Sequence, residues 1–189
     1  GLHPDVVLHG SAPIGRLEGI DAVQDTIRHG LGTSFLASRW EPYLFLGGAW
    51  GDEVWVAHTG HVTGVFAEPL WGIPPSGRTA SLRYGDFSRV ENGKTVGVRI
   101  LFDLVGLAAQ AGIHLLPEPP ARNHLPPGPA ARHGLVHERS DAAETAFTLQ
   151  LVEDMLGGCN RLDGSDLESM GMAAYWPVSY THLTLPTTV

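Results

Sequence analysis

The sequence has a single cysteine, Cys159, so it can form no disulfide within the chain and no zinc site built from paired cysteines. Long apolar runs are also missing. Runs such as residues 100–102 are far too short to span a bilayer, which needs about 20 apolar residues. Since disulfides are rare in reducing compartments, the cysteine count fits the cytoplasm. We therefore expect a cytoplasmic protein with no membrane partner.

Basic residues are few. The chain has 12 Lys and Arg against 20 Asp and Glu, a formal net charge of −8. Nucleic acid and anionic membranes would repel such a surface, so we expect neither as the main partner. The 189 residues are 43% hydrophobic and 17% charged, which excludes disorder for most of the chain and allows a sizeable core.

The motifs of metal and nucleotide sites are also absent. The ten histidines include no His-Glu-x-x-His pattern, and the spacing of His58 and His61 puts them on opposite faces of a strand. Gly30 and Gly32 lack the third glycine and the preceding strand of a dinucleotide site. Ser76 lies outside any Gly-x-Ser-x-Gly turn, so it is not a candidate nucleophile. We expect no metal and no cofactor.

Strand patterns dominate the first 112 residues. Asn92-Gly93 is the strongest hairpin signal in the chain, and Asp103 and Gly112 are placed to cap the two ends of a helix. Gly47 and Gly48 are expected to end one of the strands. The predicted strands cover residues 6–8, 40–46, 53–64, 79–90 and 94–102, and the predicted helices cover residues 19–29 and 103–111.

The chain changes character after residue 112. Six prolines between residues 113 and 139 favour an extended linker. Helices are predicted over residues 141–156 and 163–174. Residues 178–189 show no usable period and look like a translated cloning artefact, so we exclude them from fold reasoning.

Four motifs together resemble one known family. They are Thr59-Gly60-His61-Val62-Thr63-Gly64, Gly72-Ile73-Pro74-Pro75-Ser76-Gly77-Arg78, Phe87-Ser88-Arg89-Val90-Glu91-Asn92-Gly93-Lys94 and Asp103-Leu104-Val105-Gly106-Leu107. Over residues 3–112 the chain resembles the SnoaL-like polyketide cyclase family, within the nuclear transport factor 2-like superfamily. The resemblance is most specific in the proline-glycine loop.

The resemblance implies an α+β fold, in which a curved antiparallel sheet and packed helices form a cone-like pocket. That fold normally opens with two helices, which are missing before residue 6. Residues 141–177 resemble this opening. We therefore expect a SnoaL-like domain at residues 1–112, a linker at 113–140, the opening helices of a second truncated repeat at 141–177, and a non-native tail at 178–189. The chain would then be a fragment of a two-repeat protein.

Asp103 and His61 are the candidate catalytic residues that the resemblance implies. Asp103 would act as the general acid/base of an intramolecular aldol ring closure, in an apolar pocket that raises its pKa. His61 would orient the substrate oxygen. The alternatives are that Asp103 caps the following helix or pairs with Arg99, and that His61 is structural.

Four further residues are candidates for binding the substrate: Phe45, Trp55, Tyr84 and Asp86. Trp55 shares a strand face with His61, and Tyr84 shares one with Asp86. Their structural alternatives are a core position for Trp55 and a polar pair for Tyr84 and Asp86. The resemblance implies a cyclase or isomerase acting on a small hydrophobic carbonyl compound. The alternative is a non-catalytic module of the same fold that binds a small ligand or forms a homodimer.

Overall fold

A computed structural model of the chain describes residues 1–117, 134–135, 141–161, 167–171 and 175. The chain divides into two compact units, Gly1–Val136 and His137–Val189. Within the described residues no helix is long and apolar enough to cross a membrane.

The first unit is built on one sheet, whose strands lie in the order β2-β1-β6-β5-β4-β3-β7. The four strands β3 to β6 pair antiparallel, whereas β1 runs parallel to β6 and β7 runs parallel to β3. The strands are β1 (Leu2–Gly10), β2 (Arg16–Glu18), β3 (Phe35–Trp50), β4 (Glu53–Phe66), β5 (Thr79–Glu91), β6 (Lys94–Phe102) and β7 (Gly134–Leu135).

Helical segments pack on one face of this sheet. Between β2 and β3 they form one run: α1 (Ile20–Val23), the π-helical Gln24–His29 and α2 (Gly30–Ser34). After β6 comes α3 (Leu104–Gln110). The α+β class that the sequence predicts, a curved sheet with packed helices, is confirmed.

The β5–β6 hairpin turns where the sequence predicts. Asn92 and Gly93 have φ angles of 49° and 73°, the left-handed pair that a two-residue type I′ turn requires. Glu91 then pairs with Lys94 directly across the turn. This local chemistry fixes the register of the two strands.

The two faces of the sheet differ in what covers them. We call inner the face of β4, β5 and β6 that carries Val62, Leu82, Tyr84, Ile100 and Phe102, because these side chains are buried in one core with the helices. The opposite, outer face carries the alternating residues of the same strands. The helical part of this core consists of Val23, Ile27, Leu31, Leu107 and Ala108.

Two irregularities bend β3 against β4. The register shifts between Leu36 and Arg39 and again between Pro42 and Leu44. Such bulges bend and twist a strand. The second shift also moves Phe45, rather than Leu44, opposite His58.

Several predicted boundaries need correction. β3 does not end at Gly47 and Gly48 but continues to Trp50, because Val56 and Trp55 of β4 pair with these glycines. The helical run after β2 extends beyond residue 29 to Ser34. The predicted linker at 113–140 contributes the short β7, which pairs with Leu44 and Phe45. The rest of that linker after residue 117, and the tail at 178–189, lie outside the described residues.

The second unit contains α4 (Ala142–Cys159), close to the predicted helix over residues 141–156. Asp141 caps it, since its Oδ1 accepts hydrogen bonds from the amides of Ala143 and Glu144. The prediction of a continuous α-helix over residues 163–174 is wrong. Leu167–Met170 form a 3-10 turn, and Gly171 then takes a φ of 64°.

Candidate functional site

A buried carboxyl and a histidine face each other on the inner face. The register of β4 and β5 places His58 opposite Asp86, and His58 Nε2 lies 3.4 Å from Asp86 Oδ1. The Asp86 side chain is only 9% exposed, against 27% for that of His58. Ser88 Oγ donates a 2.7 Å hydrogen bond to the same Asp86 oxygen. We call His58, Tyr84, Asp86 and Ser88 the inner cluster.

Burial raises the pKa of the Asp86 carboxyl above its usual range, although the Ser88 hydrogen bond and the nearby His58 oppose the shift. Removing a carboxylate from water disfavours its charged form. No arginine or lysine forms an ion pair with Asp86 in the described part of the chain. Asp86 is therefore a carboxyl that can hold or release a proton nearer neutrality than an exposed aspartate.

Tyr84 supplies a hydroxyl beside this pair. Its ring lies 5.4 Å from the His58 ring, at 75° to it. Burial, together with Asp86 and Tyr43, raises the pKa of Tyr84 to about 12, so the phenol keeps its proton. Its Oη makes no hydrogen bond with any described residue. The hydroxyl is thus available as a donor to a ligand oxygen.

Aromatic side chains surround the cluster. Trp40 packs edge-on against Tyr84 at 5.0 Å, Phe45 stacks on His58 at 6.0 Å, and Phe102 lies 6.5 Å from Tyr84. Trp40 and Phe45 remain 42% and 44% exposed. They form an accessible apolar rim beside the polar groups, which is typical of small-molecule sites.

His61 lies on the other face. Its strand neighbours are Glu41 on β3 and Arg83 on β5, so the three form a row across the outer face. Burial lowers the pKa of His61, with a further lowering by Arg83, while Glu41 and Asp103 act in the opposite direction. The Tyr43 ring packs 5.5 Å from His61. His61 is mostly neutral at pH 7.

Asp103 caps a helix, as one of the alternatives predicts. Its Oδ1 accepts a 2.8 Å hydrogen bond from the Gly106 amide at the start of α3. The residue is exposed, so the apolar surroundings expected for a catalytic carboxyl are missing. Within the described residues Asp103 forms no ion pair with Arg99.

Trp55 is also on the outer face. Its Nε1 donates a 3.1 Å hydrogen bond to Glu53, which in turn accepts a 2.7 Å bond from Arg89. Its ring lines a cavity of about 620 Å³ on that face. The sequence placed Trp55 on the face of His61, and the structure agrees.

The structure brings three of the six candidates together: Phe45, Tyr84 and Asp86. His61 and Trp55 lie on the outer face, and the charge of Asp103 acts on His61, so the structure does not bring these three together with the other candidates. Sequence reasoning missed His58 and Ser88 as members of the site. The signal was present: His58 falls on the face opposite His61, and Ser88 on the face of Tyr84 and Asp86.

No metal site is visible in the described ranges, where no three His, Cys, Asp or Glu side chains cluster. The inner cluster instead offers a proton-transfer group, a hydroxyl donor and an apolar rim. This set can move a proton to or from carbon next to a carbonyl whose oxygen accepts a hydrogen bond.

The curved sheet, with helices packed on its inner face, defines the class of fold as α+β. The SnoaL-like polyketide cyclase family model matches residues 49–111, so the resemblance inferred from the motifs is confirmed over that stretch. The matched stretch contains the whole inner cluster. No curated protein matches the chain.

Solved structures with a similar fold include a candidate SnoaL-like polyketide cyclase from Jannaschia sp. CCS1, 22% identical, with a TM-score of 0.47 over 61% of this chain and 75% of that one. AclR from Streptomyces galilaeus, a candidate hydroxylase, is also 22% identical, with a TM-score of 0.48 over 61% and 80%. IdmH from Streptomyces antibioticus, a candidate polyketide cyclase, is 22% identical, with a TM-score of 0.48 over 59% of this chain and 82% of that one.

Proposed function

We propose that the chain carries a cofactor-independent cyclase or isomerase site for a hydrophobic carbonyl compound, and that the inner cluster performs the acid/base chemistry. The observation that supports it is Asp86, a buried carboxyl of raised pKa facing His58 and lying beside the unbonded Tyr84 hydroxyl. The family match supports the reaction class.

In the proposed reaction the Asp86 carboxylate removes a proton from the carbon next to a carbonyl, and Tyr84 Oη donates a hydrogen bond to the carbonyl oxygen of the resulting enolate. The enolate carbon then forms a bond to a second carbonyl carbon of the same molecule. The alkoxide so formed takes the proton back from Asp86, which returns to its starting state. His58 orients the carboxyl and stabilises its charge.

Two carboxyls of this sheet compete for the role, and they differ in surroundings. Asp103, the residue that the family motif implies, is exposed and engaged as a helix cap. Asp86 is buried and beside the aromatic rim. Desolvation is what makes a carboxyl a useful base near neutral pH, so the surroundings favour Asp86.

The test compares Asp86→Asn with Asp103→Asn in the full chain. Deuterium uptake next to the carbonyl is followed by NMR in D2O, with a panel of aromatic polyketide ketones and steroid ketones. We expect uptake by the wild type, a loss of at least about a hundredfold in Asp86→Asn and little change in Asp103→Asn, the range for removal of a general base. The opposite pattern would assign the chemistry to Asp103 and His61.

The second candidate function is a non-catalytic module that binds a small apolar ligand. The exposure of Trp40 and Phe45 at the rim favours ligand binding with or without chemistry. A thermal shift by the same panel, without deuterium uptake in the wild type, would select this function over the enzyme. A homodimer through the same apolar rim would instead appear in sedimentation velocity and disappear in Trp40→Glu.

A further inference from the structure

The outer face contains a cavity separate from the inner cluster. It has a volume of about 620 Å³, within the range of about 300–1,000 Å³ typical of small-molecule pockets. We call it the outer cavity. Its lining is mainly apolar, and Leu46, Trp50, Trp55, Ala57 and Phe87 supply the side chains. None of the inner cluster lines it.

The strand register explains why a slot exists there. Leu46, Ala57, Phe87 and Arg99 lie side by side across β3, β4, β5 and β6. Ala57 is the small member of this row, so a gap remains between Leu46 and Phe87. Directly along β4, Trp55 lies opposite Gly48, which has no side chain. These positions together form the flat apolar wall of the outer cavity.

The two charged residues that line the outer cavity, Glu53 and Arg99, differ in their partners. Glu53 is paired, since Arg89 Nη1 donates to its Oε1 at 2.7 Å and Trp55 Nε1 donates to its Oε2; the same Arg89 nitrogen also lies 3.2 Å from Glu91 Oε1. Arg99 is exposed and makes no hydrogen bond or ion pair with any other described residue. One end of the outer cavity therefore presents an exposed guanidinium without a hydrogen-bonded partner among the described residues, although its charge also helps lower the pKa of Glu53.

We propose that the outer cavity binds a flat aromatic carboxylate, with its ring between Phe87 and Leu46 over Ala57 and its carboxylate on Arg99. A guanidinium binds a carboxylate through two parallel hydrogen bonds, which fixes the orientation of a planar acid. The ring covers apolar area on Trp55 and Phe87, which is 56% exposed. This site is independent of the acid/base chemistry proposed for the inner face.

The probe is 2-naphthoate, and the neutral 2-naphthamide is its matched control. Binding to the full chain is measured by isothermal titration calorimetry. We expect Arg99→Gln to weaken naphthoate at least about tenfold and to leave the amide unchanged, because the charge-assisted pair alone is lost. Arg83→Gln removes an exposed cation of the same face outside the cavity and should change neither ligand.

Ala57→Leu fills the slot and should abolish binding of both probes, with far-UV circular dichroism as the check on folding. If this variant does not fold, Arg99→Gln decides alone. The proposal is overturned if naphthoate does not bind, if Arg83→Gln weakens it as much as Arg99→Gln, or if a folded Ala57→Leu still binds. It is also overturned if sedimentation velocity shows a dimer that Phe87→Asp dissociates, since a second copy would then cover the face.

Discussion

Replacing Gly60 with alanine tests the close packing behind the inner cluster. A Cβ at this position would lie 2.5 Å from the carbonyl oxygen of Glu41, 2.8 Å from Pro42 Cα and 2.9 Å from Tyr84 Oη. Real Cβ atoms do not approach other atoms this closely, and two of the three partners belong to the backbone of β3. Either β3 or the Tyr84 ring must therefore shift.

The expected magnitude has two parts. Overpacking of a well-packed site costs about 1–3 kcal/mol, and backbone partners place this site in the upper half of that range. Alanine also lowers the conformational entropy of the unfolded chain, which stabilises the folded state by about 0.4–1 kcal/mol. The net loss for Gly60→Ala is therefore about 1–2.5 kcal/mol, or roughly 4–10 °C in Tm for a domain of this size.

Gly85→Ala is the matched control. Gly85 lies on the adjacent strand opposite Thr59, and its Cβ would meet nothing within 4 Å. Its φ is not positive, so alanine can adopt its conformation. The free energy of unfolding of Gly85→Ala should exceed that of the wild type by about 0.4–1 kcal/mol, because only the effect on the unfolded chain operates.

The assay is urea unfolding of the full chain, followed by tryptophan fluorescence and by far-UV circular dichroism. The two variants should differ in the free energy of unfolding by about 2–3 kcal/mol, with Gly60→Ala the less stable. A difference of less than about 0.5 kcal/mol, the scatter of unremarkable surface changes, would refute the close packing of Gly60 under Tyr84 and β3.

Two further predictions concern Asp103 and His61. Asp103→Ala should cost about 1 kcal/mol in urea unfolding, because it removes the acceptor of the Gly106 amide at the start of α3, and no loss would contradict the cap. For His61, burial lowers its pKa below 6.5, so the folded chain binds fewer protons than the unfolded chain between the two values. Stability should therefore fall as the pH drops from about 7.5 to about 5.5, and less so in His61→Gln than in the wild type or in the exposed-histidine control His9→Gln; equal pH profiles would contradict the shift.

Local chemistry made part of this fold predictable. Asn92-Gly93 favours a tight turn independently of the rest of the fold. Asp103 likewise caps α3 through the amide of Gly106, only three residues away. Alternation along β4 likewise placed His58 and His61 on opposite faces. Each of these inferences depends on residues only a few positions apart.

The composition of the site depended on long-range pairing, which local patterns do not contain. β4 and β5 are joined by residues 67–78 and not by a tight turn, so no turn residue reveals that His58 lies opposite Asp86. The shift between Pro42 and Leu44 likewise brings Phe45 to the inner face without a sequence signal. β3 continues beyond Gly47 because it pairs there with β4. Glycine has a low preference for strands, so the local sequence predicts an end that the strand pairing overrides.

The two carboxyls of this sheet show why surroundings decide acid/base capacity more than motif position does. Asp103 occupies the motif position, but it is exposed and accepts the hydrogen bond of the Gly106 amide as a helix cap. Asp86 has one hydroxyl donor and a histidine at 3.4 Å in place of bulk water, which leaves its charge poorly stabilised. A carboxyl so placed takes up a proton at a higher pH than an exposed carboxyl does. Its raised pKa therefore suits Asp86 better than an exposed carboxyl to give and regain a proton near neutral pH.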